Sequence, residues 1–67
     1  MSTIQLNGQP HPLVAAHSVR DLVDELDLCN QRYAVEINGI LVPRSTYAQH
    51  ILVKNDQVEI VQAIGGG

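Results

Sequence analysis

The chain has 67 residues, 45% of them hydrophobic and 16% charged, with a formal net charge of −3. That describes one small globular domain with a single core, and the acidic balance argues against nucleic acid or an anionic membrane surface as partner. A single cysteine allows no intramolecular disulfide, no apolar run is long enough to span a membrane, and MSTIQLNGQP lacks the basic and apolar regions of a signal peptide, so a cytoplasmic location is expected.

Thr3–Asn7 alternates, with Ile4 and Leu6 on one side and Thr3 and Gln5 on the other, as a half-buried strand does. Asn7-Gly8 then signals a hairpin turn, because both residues tolerate positive φ. The returning strand, around Gln9–Val14, carries Pro10 and Pro12. Proline donates nothing to a ladder, so this strand belongs at an edge. An edge blunted in this way favours a monomer.

Ser18 opens a helix: its hydroxyl is placed to cap, and Asp21, three residues on, completes a near capping box with Asp in place of Glu. Val19, Leu22, Val23 and Leu26 form one apolar stripe, while Arg20, Asp21, Asp24 and Glu25 take the other side. The helix is expected to end near Asp27, with Leu28 closing over the core. Tyr33–Ile37 alternates again, Tyr33, Val35 and Ile37 against Ala34 and Glu36, and Asn38-Gly39 marks a second hairpin turn. Ile40–Val42 reads as a short strand stopped by Pro43. Ser45 is placed to cap a single helical or 3₁₀ turn over Thr46–His50, and Asn55-Asp56 is a turn pair. The last strand is Gln57–Ile64, with Val58 and Ile60 inward and Glu59, Val61 and Ala63 outward. Gly65, Gly66 and Gly67 follow.

The order hairpin, helix, hairpin, short turn, strand suits an α+β domain of two layers, with one main helix packed across one face of a mixed sheet. The helix serves as crossover, so the first and last strands can pair in parallel at the centre. This is the β-grasp, or ubiquitin-like, architecture, expected over residues 1–64 with a flexible C-terminal glycine tail at 65–67.

Ordinary catalytic machinery is hard to find. His11, His17 and His50 show no metal-ligand spacing and read as surface or turn residues, so no metal site is expected. Cys29 has no neighbouring His and reads as a structural thiol with no assigned role. Asp21, Asp24, Glu25 and Asp27 read as a solvated helix face. There is no GxxxxGK[ST] loop to cradle a nucleotide phosphate, and Lys54 and the three arginines form no cluster. No catalytic residue and no bound cofactor is expected, which makes the chain a poor candidate for an enzyme.

What remains is the tail. Three consecutive glycines arise by chance roughly three times in ten thousand at a background near 7%. Glycine has no Cβ to hinder attack on a terminal acyl carbon, it follows backbone paths closed to other residues, and three extended residues reach about 10 Å. The arrangement suits a carboxylate that is threaded into a partner's narrow channel and activated there.

The opening "IQLNG", the helix start "SVRDLVDEL", the central "YAVEINGILVPRSTYAQHIL" and the close "NDQVEIVQAIGGG" together resemble the ThiS family, the sulfur carriers of thiamine biosynthesis. The resemblance covers nearly the whole chain. Asn55-Asp56 departs from it, since the family more often has Gly-Asp there. The resemblance implies a carrier acted on by other proteins. A ThiF-like adenylyltransferase would use MgATP to adenylate the carboxylate of Gly67, and a cysteine desulfurase-derived persulfide would displace AMP. The resulting C-terminal thiocarboxylate would then give its sulfur to a ThiG-like thiazole synthase. Gly65 and Gly66 would thread the partner's site. From strand alternation, Gln5, Ala34, Glu36, Val61 and Ala63 are expected to line a docking face. Two alternatives keep the same tail: a carrier for another pathway such as molybdopterin synthesis, and a ubiquitin-like protein modifier. A plain β-grasp interaction module with incidental glycines is a third.

Overall fold

The computed structural model describes residues 2–15, 17–28 and 31–62. The expectations for Cys29, Ala63, Ile64, Gly65, Gly66 and Gly67 lie outside the described residues. The elements in chain order are β1 (Thr3–Leu6), β2 (Gln9–Pro12), α1 (Val19–Glu25), β3 (Tyr33–Ile37), β4 (Ile40–Leu41), a 3₁₀ turn (Arg44–Thr46) and β5 (Gln57–Gln62).

The two Asn-Gly turns form as their sequence demands. Asn7 and Gly8 have φ of 50° and 82°, and Asn38 and Gly39 have 54° and 83°, the paired positive values of hairpin turns whose twist matches the flanking strands. Each folds its strand back in register: Leu6 meets Gln9, and Ile37 meets Ile40. β2, with its two prolines, takes one edge of a five-stranded sheet of order β2-β1-β5-β3-β4. β5 fills the centre, parallel to β1 and antiparallel to β3. With α1 as the crossover on one face, this is the β-grasp arrangement.

The helix is short and depends on its cap. Asp21 N–H donates to Ser18 Oγ at 3.0 Å, and Ser18 N–H donates to Asp21 Oδ2 at 3.0 Å, so the full capping box is present. Hydrogen bonding to the carboxylate by the Ser18 backbone N–H first, and by its hydroxyl second, holds the Asp21 carboxyl below its ordinary value of 3.8. A carboxyl held low in the folded state stabilises it above the unfolded value, and that contribution disappears as pH falls through the folded value. Ser18→Ala is expected to cost about 1 kcal/mol in urea unfolding at neutral pH. The difference between variant and native chain should shrink as pH falls through the lowered folded value of Asp21.

Val19, Leu22 and Val23 are fully or almost fully buried, against Ile4, Val35, Ile37 and Val58 from the sheet. Leu28 closes the end of this core, and Val42, Tyr47 and Leu52 close its side. A bond of 2.7 Å between His11 on β2 and Glu25 on α1 ties the edge strand to the helix.

Three local expectations need correction. The 3₁₀ turn starts at Arg44, after Pro43, with no side-chain cap, so Ser45 sits inside it rather than capping it. Pro43 has the extended φ and ψ of −65° and 141° that precede a helical turn, and its carbonyl accepts from Thr46 Oγ1 at 2.8 Å. His17 is buried, at 6% exposure, because the backbone around it pairs with a distant segment: Leu52 N–H donates to His17 O at 2.8 Å, and Val19 N–H donates to His50 O at 2.9 Å. Among the described residues its Nδ1 has no hydrogen-bond partner. Finally, α1 stops at Glu25 with Leu26 as C-cap, ahead of Asp27, which takes a positive φ of 59°.

Candidate functional site

The site is built outward from β5. As the central strand, it is bonded on both sides, so its last described residues are held firmly in place. Ala34 faces Val61 and Tyr33 faces Gln62 across the β3 ladder. On the other side Asn7, at the β1–β2 turn, accepts from Ile60 N–H through Oδ1 at 2.8 Å. Gln62 adds a side-chain bond from Nε2 to Gln31 Oε1 at 2.6 Å. In the sequence, Ala63 and Ile64 separate Gln62 from the three glycines.

Arg44 supports the neighbouring end of β3. Its Nη2 donates to Tyr33 O at 3.0 Å, and its guanidinium lies over the Tyr33 ring, 4.4 Å from the centroid. Tyr33 in turn stacks on Tyr47 at 6.4 Å between ring centroids. Burial pushes the Tyr47 phenol above its ordinary value, the Tyr33 phenol adds to that, and Arg44 partly offsets it.

The start of β5 is fixed by a polar network. Asp56 is buried; its Oδ2 accepts from Val53 N–H at 2.9 Å and its Oδ1 from Asn38 Nδ2 at 3.1 Å. Asn38 Oδ1 accepts from Gln57 N–H at 2.9 Å. The preceding Asn55 has φ of 71°, a conformation that glycine adopts freely and asparagine tolerates. Asn55 therefore holds this turn without a glycine.

The sheet face away from α1 is open. The structure brings Gln5, Ala34, Glu36 and Val61 onto this face. Ala34 and Val61 are direct cross-strand neighbours, and Glu36 lies opposite Glu59. Gln5 is opposite Gln57, four positions from Val61 or about 13 Å along the strand, at the far end from the tail root. Glu59, read as outward but not counted in the docking face, belongs to it, and so does Leu41, opposite Glu36 and 62% exposed, which the sequence did not single out. Alternation assigns a face to each residue, but only the register shows which residues meet.

Two open apolar grooves lie elsewhere. One, ≈ 580 Å³, runs beneath the end of β5 and is lined by Leu6, Leu26, Leu28 and Ile60. The other, ≈ 410 Å³, is at the opposite end, between Ile40, Pro43, Ile51 and Val53. The second is also lined by Thr46, His50 and Asp56, but Thr46 Oγ1 donates to Pro43 O and the Asp56 carboxylate is engaged by Val53 and Asn38. Among the described residues no three His, Cys, Asp or Glu side chains are grouped to hold a metal, and no helix is long and apolar enough to cross a membrane. The arrangement of the described residues offers a firm platform and an open face.

Comparison with known proteins gives a consistent result. A sequence model of the ThiS family matches residues 4–67. The sulfur carrier protein ThiS of Escherichia coli (strain K12) is 38% identical over 64 residues, covering 96% of this chain and 97% of that protein. A thiazole synthase of Magnetococcus marinus is 41% identical over 64 residues, 96% of this chain but 20% of that protein, so the chain spans one fifth of that relative's length. Among solved structures, the thiamine biosynthesis protein ThiS of Geobacter metallireducens superposes with a TM-score of 0.79 at 26% identity, covering 97% of this chain and 99% of the other.

Proposed function

The chain belongs to the ThiS family, and from that we propose that it is a sulfur carrier of thiamine biosynthesis whose working group is the carboxylate of Gly67. It is a co-substrate of other enzymes and turns over nothing itself. The observation that carries this reading is the placement of the glycines. In the sequence they follow the central strand of a β-grasp sheet after two intervening residues, in a chain that matches the family through position 67.

The chemistry runs in three steps. In a ThiF-like adenylyltransferase, the Gly67 carboxylate oxygen attacks the α-phosphorus of MgATP and pyrophosphate leaves. The nucleotide and its metal belong to that enzyme. A persulfide drawn from a cysteine desulfurase then attacks the acyl carbon and AMP leaves. A thiol cleaves the resulting acyl disulfide, and the thiocarboxylate remains. Thiazole synthase takes that sulfur, and the carboxylate returns. That a thiazole synthase of M. marinus carries a region similar to this chain supports it as the acceptor.

The chain's contribution is steric and positional. Without Cβ atoms, Gly65 and Gly66 fit a narrow channel and the acyl carbon of Gly67 is open to attack. An acyl adenylate hydrolyses in water, so the partner must enclose the arm while the body docks outside. The open face around Ala34 and Val61, at the end of β5 that leads toward the glycines, serves as that docking surface. Val61, 52% exposed, is its most accessible apolar residue beside the root. Val61→Arg is expected to lower kcat/KM for adenylation about tenfold with an unchanged urea midpoint; unchanged kinetics would show that the partner docks elsewhere. The function itself is tested by deleting the gene. Growth that then requires thiamine, and is restored by the intact gene, supports the assignment. A molybdoenzyme defect without a thiamine requirement overturns it.

A further inference from the structure

We infer that the open sheet face receives a basic side chain of the adenylating enzyme, held between the carboxylates of Glu36 and Glu59. This rests on the function proposed above and specifies the partner's surface. The register of β3 and β5 sets Glu36 directly opposite Glu59, which puts both side chains on the open face with Cβ atoms about 5 Å apart. Like charges in that position destabilise a sheet. Nothing among the described residues offsets them. The two ion pairs found there, His11–Glu25 and Arg20–Asp24, involve neither glutamate. Arg44 is engaged with Tyr33. Arg32 precedes β3 and is four positions, or about 13 Å, from Glu36 along the chain. Lys54 lies in the turn before β5.

The surroundings of the pair identify what fits it. Leu41 stands opposite Glu36 at 62% exposure, and Val61 stands two residues beyond Glu59 at 52%, with Ala34 across from it. Exposed apolar side chains flanking two unneutralised carboxylates suit an arginine. Its methylenes cover Leu41 or Val61 while its guanidinium donates to both carboxylates at once. The face is continuous with the tail root, so the protein that supplies this cation is the one that takes the arm. Among the partners, the adenylating enzyme must hold the polyanion ATP and so presents positive potential where the arm enters. The chain's own net charge of −3 is of the complementary sign.

The experiment uses the full chain, Glu36→Gln, Glu59→Gln and the double variant with the adenylating enzyme and MgATP. AMP formation is followed at several NaCl concentrations, beside urea unfolding of each chain. The inference predicts effects of opposite sign. The urea midpoint of the double variant rises, because the repulsion is gone. Its kcat/KM for adenylation falls about tenfold at low salt, and the decline of kcat/KM with salt becomes shallower than that of the native chain. Native values of kcat/KM and salt slope in the double variant overturn the inference. So does a lowered urea midpoint, which would make the glutamates structural. A defect confined to sulfur delivery from preformed thiocarboxylate also overturns it. Val61→Arg separates the two levels. If it impairs adenylation while the glutamine variants do not, only the role of the charges fails; if it too has no effect, the docking face fails.

Discussion

Removing Gly67 leaves a chain that folds normally and accepts no sulfur. A chain ending at Gly66 still presents a glycine carboxylate, so its failure tests reach and position rather than residue type. Each extended residue spans about 3.5 Å, while reacting atoms must come within about 3–3.5 Å of each other in line. The root of the arm cannot make up the difference. β5 is bonded on one side to β3 and on the other to β1 and Asn7, so sliding it forward would break the sheet. Since misplacement by about 1 Å can cost a hundredfold, a whole residue should bring adenylation and sulfur loading to background. Adding one alanine after Gly67 should fail equally, by carrying the carboxylate past the reacting phosphorus. Both chains should keep the native urea midpoint, because the buried core is drawn from Ile4 to Val58. Loading of either altered chain at the native rate would show that the carboxylate is not held by a fixed body and a measured arm.

Asp56→Ala should give the largest loss of stability among single polar substitutions. The carboxylate, 7% exposed, accepts from the Val53 backbone and from Asn38. It therefore joins the turn before β5 to the β3–β4 turn. The Asp56 carbonyl meanwhile accepts from Gln5 N–H on β1 at 2.8 Å. Removing the carboxylate strands two donors, at a cost of about 3 kcal/mol. A domain of 67 residues has in total roughly 3–10 kcal/mol. The variant should lose a third or more of its stability, with a large fall in urea midpoint. Asp56→Asn preserves the shape but can accept only through one atom and should lose less. The arm itself should stay chemically competent in whatever fraction remains folded, so adenylation should fall in proportion to folded population. A native midpoint for Asp56→Ala would mean that the network does not hold the central strand.

The fold was legible where local chemistry leaves few choices. Asn7-Gly8 and Asn38-Gly39 could hardly do other than turn. Pro10 and Pro12 sent their strand to an edge, and Ser18 with Asp21 marked the helix start to the residue. What local chemistry could not supply was anything set by distant contact. His17 reads as a turn residue until residues 47–52 are folded over it, and the 3₁₀ turn follows Pro43 rather than Ser45 because Pro43 offers both the extended conformation and the acceptor. The site divides in the same way. Alternation identified the open face, including Ala34, Glu36 and Val61, from period two alone. It could not show that Glu59 meets Glu36, since that pairing depends on the register of strands more than twenty residues apart in the chain. Asn55 illustrates the limit from the other side: the turn pair was legible, but the positive φ that Asn55 takes within it was not.

The central claim is that Gly67 carries the transferable sulfur, and intact mass spectrometry tests it most directly. The full chain is incubated with the adenylating enzyme, MgATP, a cysteine desulfurase, cysteine and a thiol reductant, then weighed and fragmented. The account predicts one oxygen replaced by one sulfur, located at the terminal glycine, and dependent on ATP. A native mass after incubation with enzymes that load another ThiS-family carrier, or a sulfur found at Cys29 in place of Gly67, would contradict it.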